Sequence, residues 1–141
     1  MIAVDTHVLI DFIGDDDHAA SAADATLRRA LAAGPVVACE VVVAEVVAGL
    51  GHGSVVLDAL EELGIEYLPL EQRAAVRAGE MHRRYAERRR AAQEPGEAPR
   101  TVPDFLIGAH ALLQCQALIT RDAGFFRDYF KGLKVIVPKA A

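Results

Sequence analysis

Short apolar runs that alternate with helical patterns constrain the fold of this chain more than any other feature. The runs are rich in Val, Ile, Leu and Ala, and they lack the polar-out alternation of a strand with one wet face. Buried strands of this kind are typical of parallel sheets. The sequence predicts strands at residues 2–4, 36–39, 117–120 and 134–137, with residues 66–68 as a weaker fifth.

Helical patterns lie between these strands, and several end at glycine or proline, as helices commonly do. Helices are predicted at residues 6–13, 17–33, 42–50, 54–63, 71–92, 104–114 and 122–130, with a proline-rich loop at 93–103. Strands that alternate with helices predict an α/β fold with a mostly parallel sheet of about five strands. Because the 141 residues contain no evident linker, residues 1–141 are predicted to form a single domain.

Composition excludes several classes of protein. Apolar residues make up 52% of the chain and charged residues 25%, so the chain is neither disordered nor fibrous. Aromatic residues are scarce, so the core is expected to consist of Val, Leu, Ile and Ala. No segment is typical of a signal peptide or a membrane span, and we expect a cytoplasmic protein with free thiols at Cys39 and Cys115. The net charge of −5 argues against bulk charge attraction to nucleic acid, although a local basic patch stays open.

Four acidic residues stand at positions where ligands bind in parallel sheets. Asp5 and Asp122 follow predicted strands, and sites in such folds lie just beyond the carboxyl ends of strands. Asp104 opens a helix after the proline-rich loop, and Glu45 lies inside the apolar run VVVAEVVAG. A helix cap or a turn would explain each aspartate alone, but Glu45 is expensive to bury without a partner.

A divalent cation would explain the four acids together. Carboxylates that share one pocket repel one another, and a cation keeps them ionised. Oxygen ligands select Mg²⁺ or Mn²⁺ over zinc. Such ions promote cleavage of phosphodiester bonds by activating water and stabilising the leaving oxygen. The sequence contains no phosphate-binding GxxxxGK[ST] loop and no evident Ser–His–Asp or Cys–His arrangement that would compete with this interpretation.

The four acids lie in four short motifs. These read DTHVLID at residues 5–11, VAEV at 43–46 with Gly49 behind it, DFLIGAHA at 104–111 and TRDAGF at 120–125. Together they resemble the motifs of PIN domains, the ribonucleases of VapC-type toxin–antitoxin systems, which read DTNVLID, T-x-x-E-[LV] with a trailing glycine, D-x-L-I-A-A-x-A and T-x-D-x-x-F. With the tail GLKVIVP at 132–138, the resemblance extends from residue 2 to residue 138.

The resemblance implies a three-layer α/β/α fold and a metal-dependent endoribonuclease. It implies Asp5, Glu45, Asp104 and Asp122 as catalytic acids around Mg²⁺ or Mn²⁺, with the three aspartates as metal ligands and Thr6 as a supporting hydroxyl. It also implies a homodimer and a cognate antitoxin that blocks the site.

Two departures from the family pattern lie in the first two motifs. His7 stands where Asn is common, and Val42 replaces the usual Thr or Ser of the second motif. Asp11, one helical turn after His7, is a candidate to orient the His7 ring.

An arginine-rich stretch before the proline-rich loop is a candidate RNA-binding surface. Its residues would attract RNA phosphates beside the acidic pocket, although a solvated helix face explains them equally well. The candidates are Arg83, Arg84, Arg88, Arg89, Arg90 and Arg100.

Two other functions remain open. A housekeeping RNA-processing nuclease of the same fold would carry the same motifs and have no antitoxin. A Mg²⁺-binding receiver-like regulator would need a second acid next to Asp5, where Thr6 stands, and would leave Glu45 without a role.

Overall fold

The computed structural model describes residues 1–14, 17–92 and 98–139, without the side chains of residues 17–19. Five strands form one sheet, and each starts where the sequence predicts: β1 (Ile2–Val4), β2 (Val36–Ala38), β3 (Glu66–Tyr67), β4 (Ala117–Ile119) and β5 (Lys134–Ile136). All paired neighbours are parallel, in the order β3-β2-β1-β4-β5. The predicted five-stranded parallel sheet is confirmed.

Within the described ranges, seven helices connect the strands: α1 (Thr6–Ile13), α2 (Asp17–Ala33), α3 (Glu40–Leu50), α4 (Gly53–Leu63), α5 (Gln72–Ala92), α6 (Val102–Gln114) and α7 (Ala123–Tyr129). Parallel crossovers are right-handed, so the strand order puts α1–α4 on one face of the sheet and α5–α7 on the other. The helices pack accordingly, α1 against α2 and α3, and α5 against α6. The three-layer α/β/α architecture is therefore confirmed.

Two helices begin two residues earlier than the sequence predicts. Helix α3 starts at Glu40, whose side chain accepts a hydrogen bond from the backbone N–H of Leu70. Helix α6 starts at Val102, so Pro103 lies in its first turn, where a missing N–H leaves no helical hydrogen bond unmade. Of the predicted loop at 93–103, residues 93–97 lie outside the described residues, and 98–101 are non-helical as expected.

The core is aliphatic around the sheet and aromatic beneath α6. Strand residues such as Val36, Val37 and Leu118 are fully buried, as the composition predicts. The aromatic side chains, however, are concentrated in one cluster between α5, α6 and α7, with ring centroids 4.9–6.4 Å apart. The cluster consists of Tyr85, Phe105, Phe125, Phe126, Tyr129 and Phe130. The aromatic residues are few, but they contribute strongly to the hydrophobic core because they pack against one another.

Burial shifts the pKa of one histidine and of two cysteines. His110 is buried in α6 and its Nε2 lies 2.9 Å from the carbonyl of Leu68, so it is a packed core residue, and burial lowers its pKa. Cys39 and Cys115 are free thiols, and burial raises the pKa of Cys115 to about 11. Among the described helices, none combines the length and apolar character that a membrane crossing requires.

Candidate active site

The four predicted acids line one pocket at the carboxyl edge of the sheet. Strand order reverses between the neighbours β1 and β4, and this is where parallel sheets open a crevice. The pocket has a volume of about 330 Å³. Its lining residues are Asp5, Thr6, His7, Glu45, Arg100, Asp104, Arg121, Asp122 and Phe126.

Asp5 is held at the bottom of this pocket by two hydrogen bonds. Its Oδ1 accepts the backbone N–H of Thr6 at 2.8 Å, which caps α1, and its Oδ2 accepts the Thr120 hydroxyl at 2.7 Å. The residue is only 7% exposed. Burial raises the pKa of Asp5 against these hydrogen bonds, and the nearby charge of Asp104 raises it further. Asp5 is thus both a helix cap and a pocket residue.

Glu45 is tied to Thr6, across from α3 to the start of α1. The Thr6 hydroxyl donates to Glu45 Oε1 at 2.7 Å. This hydrogen bond explains how an acid can lie in an apolar helix, since it supplies the partner that a partly buried carboxylate needs. Thr6 thus contacts both Asp5 and Glu45, and its supporting role stays a prediction.

Asp104 and Asp122 share the remaining side of the pocket with Arg100. Burial raises the pKa of Asp104, as do the charges of Glu45 and Asp122, whereas Arg100 lowers it. Asp122 forms an ion pair with Arg100, whose guanidinium lies 4.4 Å from the centre of the Phe125 ring. Partial burial lowers the pKa of Arg100, but the hydrogen bond and charge of Asp122 outweigh it and the net shift is upward. Arg100 is therefore a positively charged side chain of the protein that acts as counter-ion to the carboxylates of the pocket.

Two residues that shape the pocket were not predicted from the sequence. Thr120 bridges its two sides, because its Oγ1 donates to Asp5 and accepts the backbone N–H of Asp122 at 3.0 Å. Arg121 donates to both carboxylate oxygens of Asp11. Thr120 and Arg121 stand in the TRD tripeptide, in which only Asp122 was predicted as a site residue.

The proposed orientation of His7 by Asp11 needs a correction. The Asp11 carboxylate accepts from Arg121 instead, at 2.9 Å and 2.8 Å. Helical spacing put His7 and Asp11 on one side of α1, but a guanidinium with two well-placed hydrogens is the stronger partner for a carboxylate.

The six predicted RNA-contacting arginines differ in their surroundings. Arg100 lines the pocket. Arg88 and Arg89 lie over the rings of Tyr129 and Tyr85, at 5.4 Å and 5.7 Å from the ring centres. Arg83 pairs with Glu87 along α5, and Arg84 and Arg90 are exposed on the same helix. Packing on aromatic residues thus explains part of the arginine-rich pattern.

The donor set suits a hard divalent cation, although its side chains are not gathered around one point. In the described ranges, no three His, Cys, Asp or Glu side chains are grouped so that they could hold a metal ion. The acids are held apart by their own partners, since Asp122 pairs with Arg100 and Glu45 accepts a hydrogen bond from Thr6. The pocket nevertheless offers the oxygens of four carboxylates. Burial raises the pKa of Asp104, and repulsion from the charges of Glu45 and Asp122 raises it further. A cation would relieve that repulsion, so the residues fit Mg²⁺ or Mn²⁺ chemically.

Comparison with known proteins gives a family and a set of structural relatives. The PIN domain family matches residues 2–131. No curated protein sequence matches the chain significantly.

Solved structures that resemble the chain include complexes and toxins of toxin–antitoxin systems. VapBC2 from Rickettsia felis, bound to a DNA fragment from its promoter, superimposes with a TM-score of 0.69 at 19% identity, covering 99% of this chain and 100% of the other. VapBC-1 from nontypeable Haemophilus influenzae gives 0.61 at 20% identity, covering 96% of each chain. The toxin VapC20 from Mycobacterium tuberculosis, described as cleaving the sarcin-ricin loop, gives 0.58 at 18% identity, covering 95% of this chain and 99% of the other. At these identities the likeness concerns the fold.

Proposed function

We propose that the chain, which belongs to the PIN domain family, is a metal-dependent endoribonuclease and the toxin of a toxin–antitoxin pair that acts in the cytoplasm. One observation carries the proposal: carboxylates from four separate parts of the chain, Asp5, Glu45, Asp104 and Asp122, line a single pocket. Nucleases with PIN domains generally use divalent metal ions, and the structural relatives include a toxin described as cutting RNA.

The proposed cation would be held by Asp5, Asp104 and Asp122. When bound, Mg²⁺ or Mn²⁺ supplies Lewis acidity, which stabilises the negative charge that develops on the attacking water and on the phosphate. Because a cation at Asp122 would take over the role of counter-ion, Arg100 would be released to pair with an RNA phosphate. Its stacking on Phe125 keeps the guanidinium beside the pocket for that contact.

The protein's own side chains prepare the pocket for attack by water. Thr6 and Thr120 fix the Asp5 carboxylate from both sides, which limits its movement during the reaction. The Thr6 hydroxyl occupies Oε1 of Glu45, so Oε2 is available to accept a proton from the water. Arg83, Arg84, Arg88, Arg89 and Arg90 would add long-range attraction for the RNA backbone from α5.

Cleavage of RNA by the purified chain tests this proposal. With total RNA, transfer RNA and a single-stranded oligonucleotide as substrates, we expect cutting in Mg²⁺ or Mn²⁺ and none in excess EDTA. Restoring Mn²⁺ after EDTA should restore cutting, which a contaminating metal-independent ribonuclease would not show. Absence of cleavage of every substrate, with Mn²⁺ binding measured directly by calorimetry, would contradict the proposed activity.

An apolar cleft on the α3–α4 side provides a docking place for the proposed antitoxin. The cleft has a volume of about 650 Å³ and lies between α3, α4 and β3. Leu57 and Tyr67 line it and are 58% and 60% exposed, and Glu40, Glu61 and Glu66 also line it. An antitoxin segment with apolar and basic side chains would complement this surface. Val43 and Ala44 line the cleft and Glu45 the pocket, so a segment bound here would adjoin the catalytic acids.

Substitution of Leu57 by Glu is expected to weaken antitoxin binding at least about tenfold, since it places a charge in the apolar centre of the contact. The binding partner to test is the product of the gene adjacent to the toxin gene, with affinity measured by calorimetry and RNA cleavage by the free variant as a check on folding. Val76→Glu is the matched control, because Val76 is 55% exposed on α5, away from the cleft. Equal losses for both variants would exclude the cleft as the antitoxin site, and a neighbouring gene product that does not bind would favour a housekeeping nuclease.

The homodimer stays a prediction, which light scattering coupled to gel filtration tests.

A further inference from the structure

An exposed arginine at the rim of the acidic pocket is held in place by an acid outside that pocket. Arg121 lines the pocket, directly between Thr120 and Asp122. Its Nη1 donates to both oxygens of Asp11, on α1, at 2.9 Å and 2.8 Å. The arginine side chain is 55% exposed, but that of the aspartate is only 14% exposed. A nearly buried carboxylate therefore fixes a guanidinium that faces solvent.

The pair differs from the ion pair of Arg100 in one respect that matters for function. Arg100 is bound to Asp122, one of the proposed cation ligands, so its position depends on what else Asp122 binds. Asp11 is not among the residues that line the pocket. Cation binding in the pocket would therefore not compete with Arg121 for its carboxylate partner.

Stability alone is a weak reason for this pair. Exposed ion pairs contribute about 0–1 kcal/mol to folding. The guanidinium has five N–H donors, and only Nη1 takes part in the bonds to Asp11. Nη2 and Nε are therefore available for an outside acceptor, and phosphate oxygens match the planar fork of donors.

We propose that Arg121 binds a phosphate of the RNA next to the bond that is cleaved, and that Asp11 is the residue that positions it. The inference rests on the proposed endoribonuclease function and adds to it a fixed anchor for the RNA backbone. Arg121 places positive charge at the rim of a pocket that is otherwise dominated by carboxylates. Arg121 fixes the position at which the RNA strand crosses the pocket. Because it contacts the phosphate backbone, this contact does not depend on the base sequence.

Binding of a fluorescent single-stranded RNA oligonucleotide tests the anchor without cleavage. All variants are made in an Asp5→Asn background, and affinity is measured by anisotropy over a range of salt concentrations. Arg121→Gln is expected to weaken binding about tenfold and to reduce the slope of log K against log salt by about 0.7, the value for one phosphate contact on a single strand. Arg121→Lys keeps the positive charge, so the salt slope should equal that of the protein with Arg121. The affinity should recover only in part, because lysine lacks the planar fork of donors.

The role of Asp11 is tested in the protein that retains Asp5. Asp11→Asn is expected to raise KM for RNA cleavage several-fold with kcat almost unchanged, since Arg121 keeps its charge but loses its fixed position. The matched controls are Arg28→Gln and Asp24→Asn, which remove a similar pair on α2, joined at 2.8 Å and remote from the pocket. These controls should leave the affinity, the salt slope and KM unchanged.

The outcomes separate this inference from the function on which it rests. If Arg121→Gln behaves like Arg28→Gln in affinity and salt slope, the anchor is wrong, even if the wild-type protein cleaves RNA. A lowered melting temperature with unchanged RNA binding would make the pair a structural tie between α1 and the end of β4, which also overturns the inference. If the wild-type chain neither binds nor cleaves RNA, the proposed function itself fails.

Discussion

Replacing Asp5 with asparagine should reduce RNA cleavage on the order of 100-fold or more, the largest effect on activity that we expect from a single substitution. Asparagine has almost the same shape and is a good helix cap, so its side-chain oxygen can still accept the N–H of Thr6. What the substitution removes is the negative charge between Thr6 and Thr120. A neutral amide holds a divalent cation poorly, and the loss therefore falls on the metal-dependent step.

Three measurements distinguish loss of chemistry from loss of fold. Single-turnover cleavage reports the rate, calorimetry with Mn²⁺ reports cation affinity, and thermal unfolding reports stability. Burial raises the pKa of Asp5, so the ionised carboxylate disfavours the folded state at neutral pH. Because a neutral amide avoids the unfavourable burial of a charge, the melting temperature of Asp5→Asn should be no lower than that of the wild type. Asp24→Asn, on the surface of α2, is the control for removal of one negative charge. Full activity of Asp5→Asn would exclude Asp5 from the catalytic acids.

The position of the acidic pocket was predictable because it depends on topology. Strand and helix patterns predicted the parallel sheet, and parallel strands end at the same edge. Asp5 and Asp122 follow β1 and β4, which are neighbours in the sheet, so both necessarily lie at the same crevice. The acid on a helix, Glu45, was conspicuous because nothing in its apolar surroundings explains a charge.

The partners of these acids were not predictable, because they come from parts of the chain that no local pattern connects. Asp11 and Arg121 are 110 residues apart, and their pairing depends on how α1 lies against the end of β4. The ion pair of Arg100 with Asp122 likewise depends on the path of the chain into α6. Sequence spacing along α1 instead favoured an interaction of Asp11 with His7, since it accounts only for neighbours on the same helix.

The aromatic cluster also escaped the sequence analysis, although it determines the identity of one residue near the site. Gly108 lies in α6, one turn after Asp104, where the family motif D-x-L-I-A-A-x-A has alanine. An ideal Cβ at Gly108 would lie 2.3 Å from Cε2 and 2.5 Å from Cζ of Phe130. The Phe130 ring is 1% exposed and lies within 6.4 Å, centre to centre, of three other phenylalanine rings. Glycine is therefore required because the ring occupies the space of a side chain.

Gly108→Ala is accordingly expected to lower the free energy of unfolding by about 2 kcal/mol. Overpacking of a core typically costs ~1–3 kcal/mol, and the ~1 kcal/mol by which alanine is the better helix former offsets only part of it. Thermal unfolding should show a fall of roughly 5–10 °C for a chain of this length. Because any shift of α6 moves Asp104, the rate of RNA cleavage should fall as well.

The matched control is Gly79→Ala on α5, where an added Cβ has no heavy atom within 4 Å. There the helix preference of alanine acts alone, and we expect stabilisation by about 0.5–1 kcal/mol. A second variant identifies the cause: Phe130→Leu removes the ring atoms that the new methyl group would meet, so Gly108→Ala should cost at least about 1 kcal/mol less in that background. Equal losses in both backgrounds would mean that the ring is not the obstacle. The need for glycine beside Asp104 would then have to come from the backbone of α6 and not from the aromatic cluster that packs under the site.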